Sequence, residues 1–169
     1  GYGRKLRSSD GLTTRLTAYD GKGEAFRSAV DMDGNGEIDI AGSDRVTDTE
    51  SSCLSFGGKD ARQSVTKVYM SDGSSAPTEI EKSVGAVDGS ESWQVSYGRT
   101  NHVQVVRNRA AATRTETQTN PDGTQVVQVY SNGLLCSSTA KSSVGATVSW
   151  RSYAHDVHGR VVAATEPAA

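Results

Sequence analysis

The sequence predicts an all-β protein: antiparallel hairpins in a repeated meander, forming an open or curled sheet, with a sandwich-like packing as the compact alternative. Three observations predict it. Valine numbers 18 against 6 leucines and 3 isoleucines, and serine plus threonine total 38; Val and Thr suit a pleated, half-buried surface, whereas Leu stripes suit helices. Asx-Gly pairs are dense and lie between Val- or Thr-rich runs, at Ser71-Asp72-Gly73, Asp88-Gly89, Pro121-Asp122-Gly123 and Asn132-Gly133, which is the hairpin pattern. No apolar stretch keeps a helical period. Residues 104–112 come closest, but nothing caps them and Arg107-Asn108-Arg109 leaves no clean face.

Hydrophobic residues make up 34 % and aromatics 6 % of the 169 residues, so the core is lean. A net charge of −2 argues against a globally basic nucleic-acid binder. No run of about 18 apolar residues occurs, so no helical membrane insertion is expected. The start Gly1-Tyr2-Gly3-Arg4-Lys5 has no apolar leader, so the chain reads as a mature or excised piece. Arg4-Lys5-Leu6-Arg7 reads as a solvated basic terminus.

Two regions follow in order. Residues 1–61 form a β segment carrying the strongest chemical signal, Asp31-Met32-Asp33-Gly34-Asn35-Gly36-Glu37-Ile38-Asp39. Oxygen side chains stand at loop positions one, three, five and nine, with Gly at six. Ca²⁺ takes six to eight oxygens, and a tight loop supplies them only where Gly permits the sharp turn. The metal candidates are Asp31, Asp33, Asn35, Glu37 (through its carbonyl) and Asp39. The EF-hand's twelfth-position Glu is replaced by Gly42, with Asp44 two residues beyond. Affinity is therefore expected in the weak, about 10⁻⁴–10⁻³ M, range of extracellular modules. The alternative is a solvated acidic turn without metal.

Residues 62–169 read as a duplication. Val65-Thr66-Lys67-Val68-Tyr69, then Asp72-Gly73, matches Val127-Gln128-Val129-Tyr130, then Asn132-Gly133. Lys82-Ser83-Val84-Gly85-Ala86 before Trp93-Gln94-Val95-Ser96-Tyr97 matches Lys141-Ser142-Ser143-Val144-Gly145-Ala146 before Trp150-Arg151-Ser152-Tyr153. Both copies read strand, Tyr, Asx-Gly turn, strand, Val-Gly-Ala turn, Trp strand, at offsets of 57 to 61 residues. Thr113, Thr115, Thr117 and Thr119 alternate with charged and amide residues as a wet strand, and 124–130 returns from the Pro121-Asp122-Gly123 turn.

A shorter pattern lies inside the longer one. Tyr19-Asp20-Gly21-Lys22-Gly23 and Tyr153-Ala154-His155-Asp156-Val157-His158-Gly159-Arg160 share Asp-x-x-Gly, and the second runs on into Val161-Val162-Ala163-Ala164-Thr165. On these residues the chain resembles the Rhs/YD-repeat family, whose signature is Tyr-Asp-x-x-Gly-Arg, an alternating strand and a Thr. Here His155 stands for the family's Tyr, 19–25 lacks the Arg, Leu134 replaces it after Asn132-Gly133, and Tyr97-Gly98-Arg99 is contracted. The resemblance implies a non-enzymatic scaffold segment of a longer secreted or cell-surface protein, its sheet edges covered by neighbouring repeats of the same chain. Neither a self-cleaving core nor a toxin module is implied.

Other residues carry weaker alternatives. Cys53 and Cys136 permit one disulfide closing 83 residues, a stabilisation of about 4–5 kcal/mol in the chain-entropy model, or Cys136 is simply a small apolar residue. His155, Asp156 and His158 look like a metal or acid–base cluster, yet Asp156 is a repeat position; His102 has no evident partner. Glu79 and Glu81 read as a solvated edge. Trp93, Trp150, Tyr97 and Tyr153 either anchor their own repeat units or offer a platform for a glycan or a surface protein. That platform defines the second functional reading, a calcium-dependent carbohydrate- or protein-binding module.

Overall fold

The computed structural model describes residues 5–11, 13–70 and 75–166. The predicted turn at Ser71-Asp72-Gly73 and residue Arg4 of the basic run lie outside them. The described residues form thirteen strands and no helix. They are β1 (Lys5–Ser9), β2 (Thr14–Tyr19), β3 (Ala25–Asp31), β4 (Arg45–Phe56), β5 (Lys59–Tyr69) and β6 (Pro77–Ala86). There follow β7 (Glu91–Ser96), β8 (Arg99–Asn108), β9 (Thr113–Thr119), β10 (Gln125–Ser131), β11 (Leu134–Lys141), β12 (Thr147–His155) and β13 (Val161–Thr165). Each strand pairs with the next in one antiparallel meander that does not close. The all-β, hairpin-by-hairpin prediction holds. The helix-like stretch at 104–112 divides into the end of β8 and a turn.

The chain gathers into two compact units. One draws on residues within 1–54, 62–84 and 95–98, the other on 55–61, 85–94 and 99–169. In the first, Leu16 faces Ala29 across β2–β3, and Ala29 faces Val46 across β3–β4. All three are at most 3 % exposed, and Ile38 and Tyr69 pack against them. Alternation puts Arg27 and Asp48 on the same buried face, directly opposite each other. Asp31, two residues past Ala29, and Asp44, two before Val46, extend this row into the β3–β4 loop, and both are buried.

In the second unit the threonine strand is the centre of a ladder. Thr115 and Thr117 face Val129 and Val127 on β10, and Val106 and Gln104 on β8. β10 and β11 are half-buried along their whole length, so this part holds by cross-strand pairs more than by a core.

Two turn designs recur among the described connections. Gly57-Gly58, Tyr97-Gly98 and Asn132-Gly133 are two-residue turns with positive φ at both positions, matching the right-handed strand twist. Four further connections share a five-residue loop with Gly fourth. In 20–24, 120–124, 142–146 and 156–160 the first residue's N–H donates to the fifth residue's carbonyl at 2.8–2.9 Å, and the Gly N–H donates back to the first carbonyl. Those glycines have φ between 78° and 87°.

The duplicated motifs do not occupy equivalent places. Val144-Gly145-Ala146 forms the predicted turn, and Val144 is 87 % exposed. Val84-Gly85-Ala86 instead ends β6, with Val84 and Ala86 buried. Asp88-Gly89 is the stronger turn signal there; the Gly89 N–H donates to the Ala86 carbonyl and leaves the preceding residues to alternate as strand. Likewise Tyr97 sits in a turn at 80 % exposure, whereas Tyr153 lies within β12.

Candidate functional site: the acidic loop between β3 and β4

The loop leaves β3 at Asp31 and rejoins the sheet after Asp44. Its carboxylates accept from its own backbone. Asp31 Oδ1 accepts from the Gly34 N–H at 2.7 Å and Oδ2 from the Gly36 N–H at 3.0 Å. Asp44 Oδ1 accepts from the Met32 N–H at 2.9 Å and Oδ2 from the Asp39 N–H at 3.1 Å. Asp33 accepts from the Asn35 backbone and amide, and Asn35 Nδ2 donates on to Asp39 Oδ2 at 2.6 Å. The Glu37 N–H donates to Asn35 Oδ1 at 2.6 Å. Gly34 and Gly36 take φ +77°, a conformation that favours glycine.

Asp31, Asp33 and Asp44 each bring a carboxylate oxygen within 4.8 Å of the other two. Oxygens about 2.4 Å from one Ca²⁺ lie no more than about 4.8 Å apart, so the spacing is compatible with a common cation. Asn35 links Asp33 to Asp39 beside this group; the Glu37 side chain is not one of the three. Asp44 is the residue the motif undervalued. It is 1 % exposed and brings its carboxylate to those of Asp31 and Asp33 from loop position fourteen. Gly42 itself is tightly enclosed: a Cβ there would meet Asp39 Cβ at 2.8 Å.

The remaining candidates divide. Asp156 Oδ1 accepts from the His158 and Arg160 N–H groups, and Oδ2 from Arg160 Nε at 2.8 Å; its carboxylate ties its own loop. Cys53 is an exposed thiol and Cys136 a half-buried one. Trp93 packs against Phe56 and His102, while Trp150 stays 38 % exposed; the two matched tryptophans have different surroundings. Trp150 lines a hollow of about 370 Å³ with Val126, Ser138, Arg151, Tyr153 and Glu166. Sequence reasoning missed one buried polar group altogether. Arg27 grips Asp48 through Nε and Nη2, both at 2.6 Å, and the Tyr69 hydroxyl donates to the same carboxylate at 3.0 Å. The register of β3 on β4 sets Arg27 opposite Asp48, and Tyr69 at the end of β5 reaches the same carboxylate.

No protein-family description, curated protein or solved structure matches the chain.

Proposed function

We propose that the chain is a non-enzymatic structural scaffold segment of a secreted or cell-surface protein of the YD-repeat type, stabilised by Ca²⁺ in the 31–44 loop. The observation that carries this reading is the shared five-residue hairpin loop. The Asp and Gly that define the YD resemblance at 20–23 and 156–159 have one common role: the carboxylate accepts two loop N–H groups and the glycine closes the turn. The same loop recurs with Asn120 and Ser142 in first place. Such a loop is a repeatable unit for adding strands, and its recurring geometry serves architecture.

The outer strand agrees. All five side chains of β13, Val-Val-Ala-Ala-Thr, are exposed, with Val161 at 57 % and Val162 at 62 %. β13 pairs only with β12 among the described strands. An uncharged, apolar edge strand invites pairing, and a neighbouring repeat of the same longer chain supplies it. An immunoblot of the source cells' fractions with antibody to this segment tests the reading. A band several-fold heavier than 17.8 kDa, in the envelope or medium, is expected. A free band at this mass would overturn it.

The second reading, a calcium-dependent carbohydrate- or protein-binding module, is favoured by one observation, the exposed Trp150 in its hollow beside Tyr153. Quenching of Trp150 fluorescence by a glycan, lost in Trp150→Phe, would bring it forward.

A further inference from the structure

Arg107 and Arg114 are direct cross-strand partners in β8–β9. Like charges placed opposite each other destabilise a sheet unless something compensates. Arg109, in the turn between the two strands, adds a third guanidinium. These three residues line a hollow of about 290 Å³ with Asn108, Ala112 and Tyr130, and no carboxylate is among its described lining residues.

Arg107, Arg114 and the turn between them are held in place. The Arg114 guanidinium stacks over the Tyr130 ring, 4.0 Å from its centroid. Both terminal nitrogens of Arg107 donate to the Gly89 carbonyl at 3.2 Å. The turn is fixed by Asn108 Oδ1, which accepts from the Ala111 N–H, and by the Asn132 N–H, which donates to the Ala112 carbonyl. Two carboxylates act on these arginines without being among the residues that line the hollow, Asp88 on Arg107 and Glu116 on Arg114. Asp88 accepts from the Ser90 N–H and hydroxyl at 2.8 and 2.6 Å, and Glu116 stands 3.9 Å from Arg114. Arg109 forms no ion pair with a described residue.

A guanidinium has five donors in a planar fork, matched to the oxygens of phosphate and sulfate. Neither the stack on Tyr130 nor the bonds to Gly89 use all of them. We propose that this hollow binds a tetrahedral oxyanion, the phosphate or sulfate group of a small sugar ester or the free ion. The net charge of −2 makes a locally basic hollow the natural place for such a group. This inference does not depend on the scaffold reading.

The test is ¹⁵N NMR titration of the 169-residue chain at low salt, observing arginine Nε–H and backbone amides. The probes are inorganic phosphate, inorganic sulfate, glucose 6-phosphate and N-acetylglucosamine 6-sulfate, with glucose as the neutral control. Saturable shifts at Arg107, Arg109, Arg114 and Ala112 are expected for the anions and not for glucose. Tighter binding of the esters than of the free ions would identify a sugar ester as the ligand; equal binding would identify the ion. Arg109→Ala lies in an exposed turn and is expected to weaken binding about tenfold. Arg114→Lys keeps the charge but not the fork and is expected to weaken it comparably. Absence of saturable shifts with all four anions, or unchanged affinity in both variants, would overturn the proposal.

Discussion

The indole of Trp93 lies flat against the imidazole of His102, with ring centroids 4.9 Å apart and planes 8° from parallel, while Phe56 meets the indole in an edge geometry with centroids 4.6 Å apart. Trp93 is therefore a packing residue of the β7–β8 hairpin, and Trp150 is not. Trp93→Ala is expected to cost about 2–3 kcal/mol, below the range for a fully buried tryptophan because the ring is half-buried. Trp150→Ala is expected to cost less than about 1 kcal/mol. Urea midpoints of the two variants check this, and iodide should quench the wild-type emission mainly through Trp150. Equal midpoint shifts would contradict the assignment.

The Arg27–Asp48–Tyr69 group ties β3, β4 and β5 on the buried face of their unit. Removing Asp48 leaves a largely buried guanidinium without its partner, so Asp48→Ala should cost about 2–3 kcal/mol. Arg27→Ala also loses the packing of its stem and should fall in the same range. Burial, and then the hydrogen bond to Asp48, pushes the Tyr69 phenol above its ordinary value. The folded state thus keeps a proton that the unfolded state gives up. The corresponding stability is intact below about pH 10 and is lost as pH rises further. Alkaline absorbance titration should show one of the six tyrosines ionising late, and Tyr69→Phe should remove that component.

The hairpin loops predict behaviour at the acid end. Asp20 is held below its ordinary value first by the Glu24 N–H, Asp122 first by the Thr124 hydroxyl, and Asp156 first by the Arg160 N–H. Glu91 is held low first by Lys59. A carboxylate depressed in the folded state contributes stability fully above its unfolded value and loses it as pH falls through the folded one. The melting temperature should therefore drop progressively below about pH 4. In the triple variant Asp20→Asn, Asp122→Asn, Asp156→Asn the drop should be shallower; an unchanged slope would remove these loops from the account.

The parts legible in the sequence are those set by local chemistry. The Asn120–Gly123 and Asn132-Gly133 turns need only their own residues, and the alternating threonines of β9 fix its period. Asp31 and Gly36 announce the acidic loop by spacing alone. The parts that stayed hidden depend on register. Asp44 joins Asp31 only because Ala29 faces Val46. Arg114 meets Arg107 only because Thr113 faces Asn108. Motif repetition misled for the same reason: Val84-Gly85-Ala86 and Val144-Gly145-Ala146 share letters, but the Asp88-Gly89 signal that follows the first moves its turn downstream.

Ala112 is the turn residue that breaks the pattern of its neighbours. It has φ +50° and its N–H donates to the Arg109 carbonyl, the place glycine takes in the loops at 120–124 and 156–160. An L-residue in this region costs roughly 1–2 kcal/mol relative to glycine, partly offset by glycine's greater freedom when unfolded. Ala112→Gly should therefore stabilise the protein by about 0.5–1 kcal/mol. Gly159→Ala should destabilise it by at least as much, since φ is +78° and the new Cβ would also meet Leu134 Cδ2 at 3.3 Å. Opposite shifts in thermal midpoint are the expected result; shifts of one sign would show that loop backbone strain does not govern these hairpins.

Asp44 decides the calcium reading. Asp31 and Asp44 are both buried, and their oxygens converge with that of Asp33. Bringing three carboxylates together costs energy that a divalent cation would reverse. With an affinity of about 0.5 mM, 10 mM CaCl₂ should stabilise the fold by about 2 kcal/mol, whereas the same concentration of MgCl₂ should do much less, because Mg²⁺ demands a tighter octahedron and dehydrates reluctantly. Asp33→Asn removes one charge from the exposed member of the cluster and should halve or abolish the effect while leaving the calcium-free stability nearly unchanged. Asp44→Asn should abolish it and also weaken the calcium-free fold, because the Met32 and Asp39 N–H groups lose their charged acceptor. Calorimetric titration and melting with each cation separate these outcomes. A chain equally stable in calcium, magnesium and chelator would show that the loop is held by its own hydrogen bonds and carries no metal.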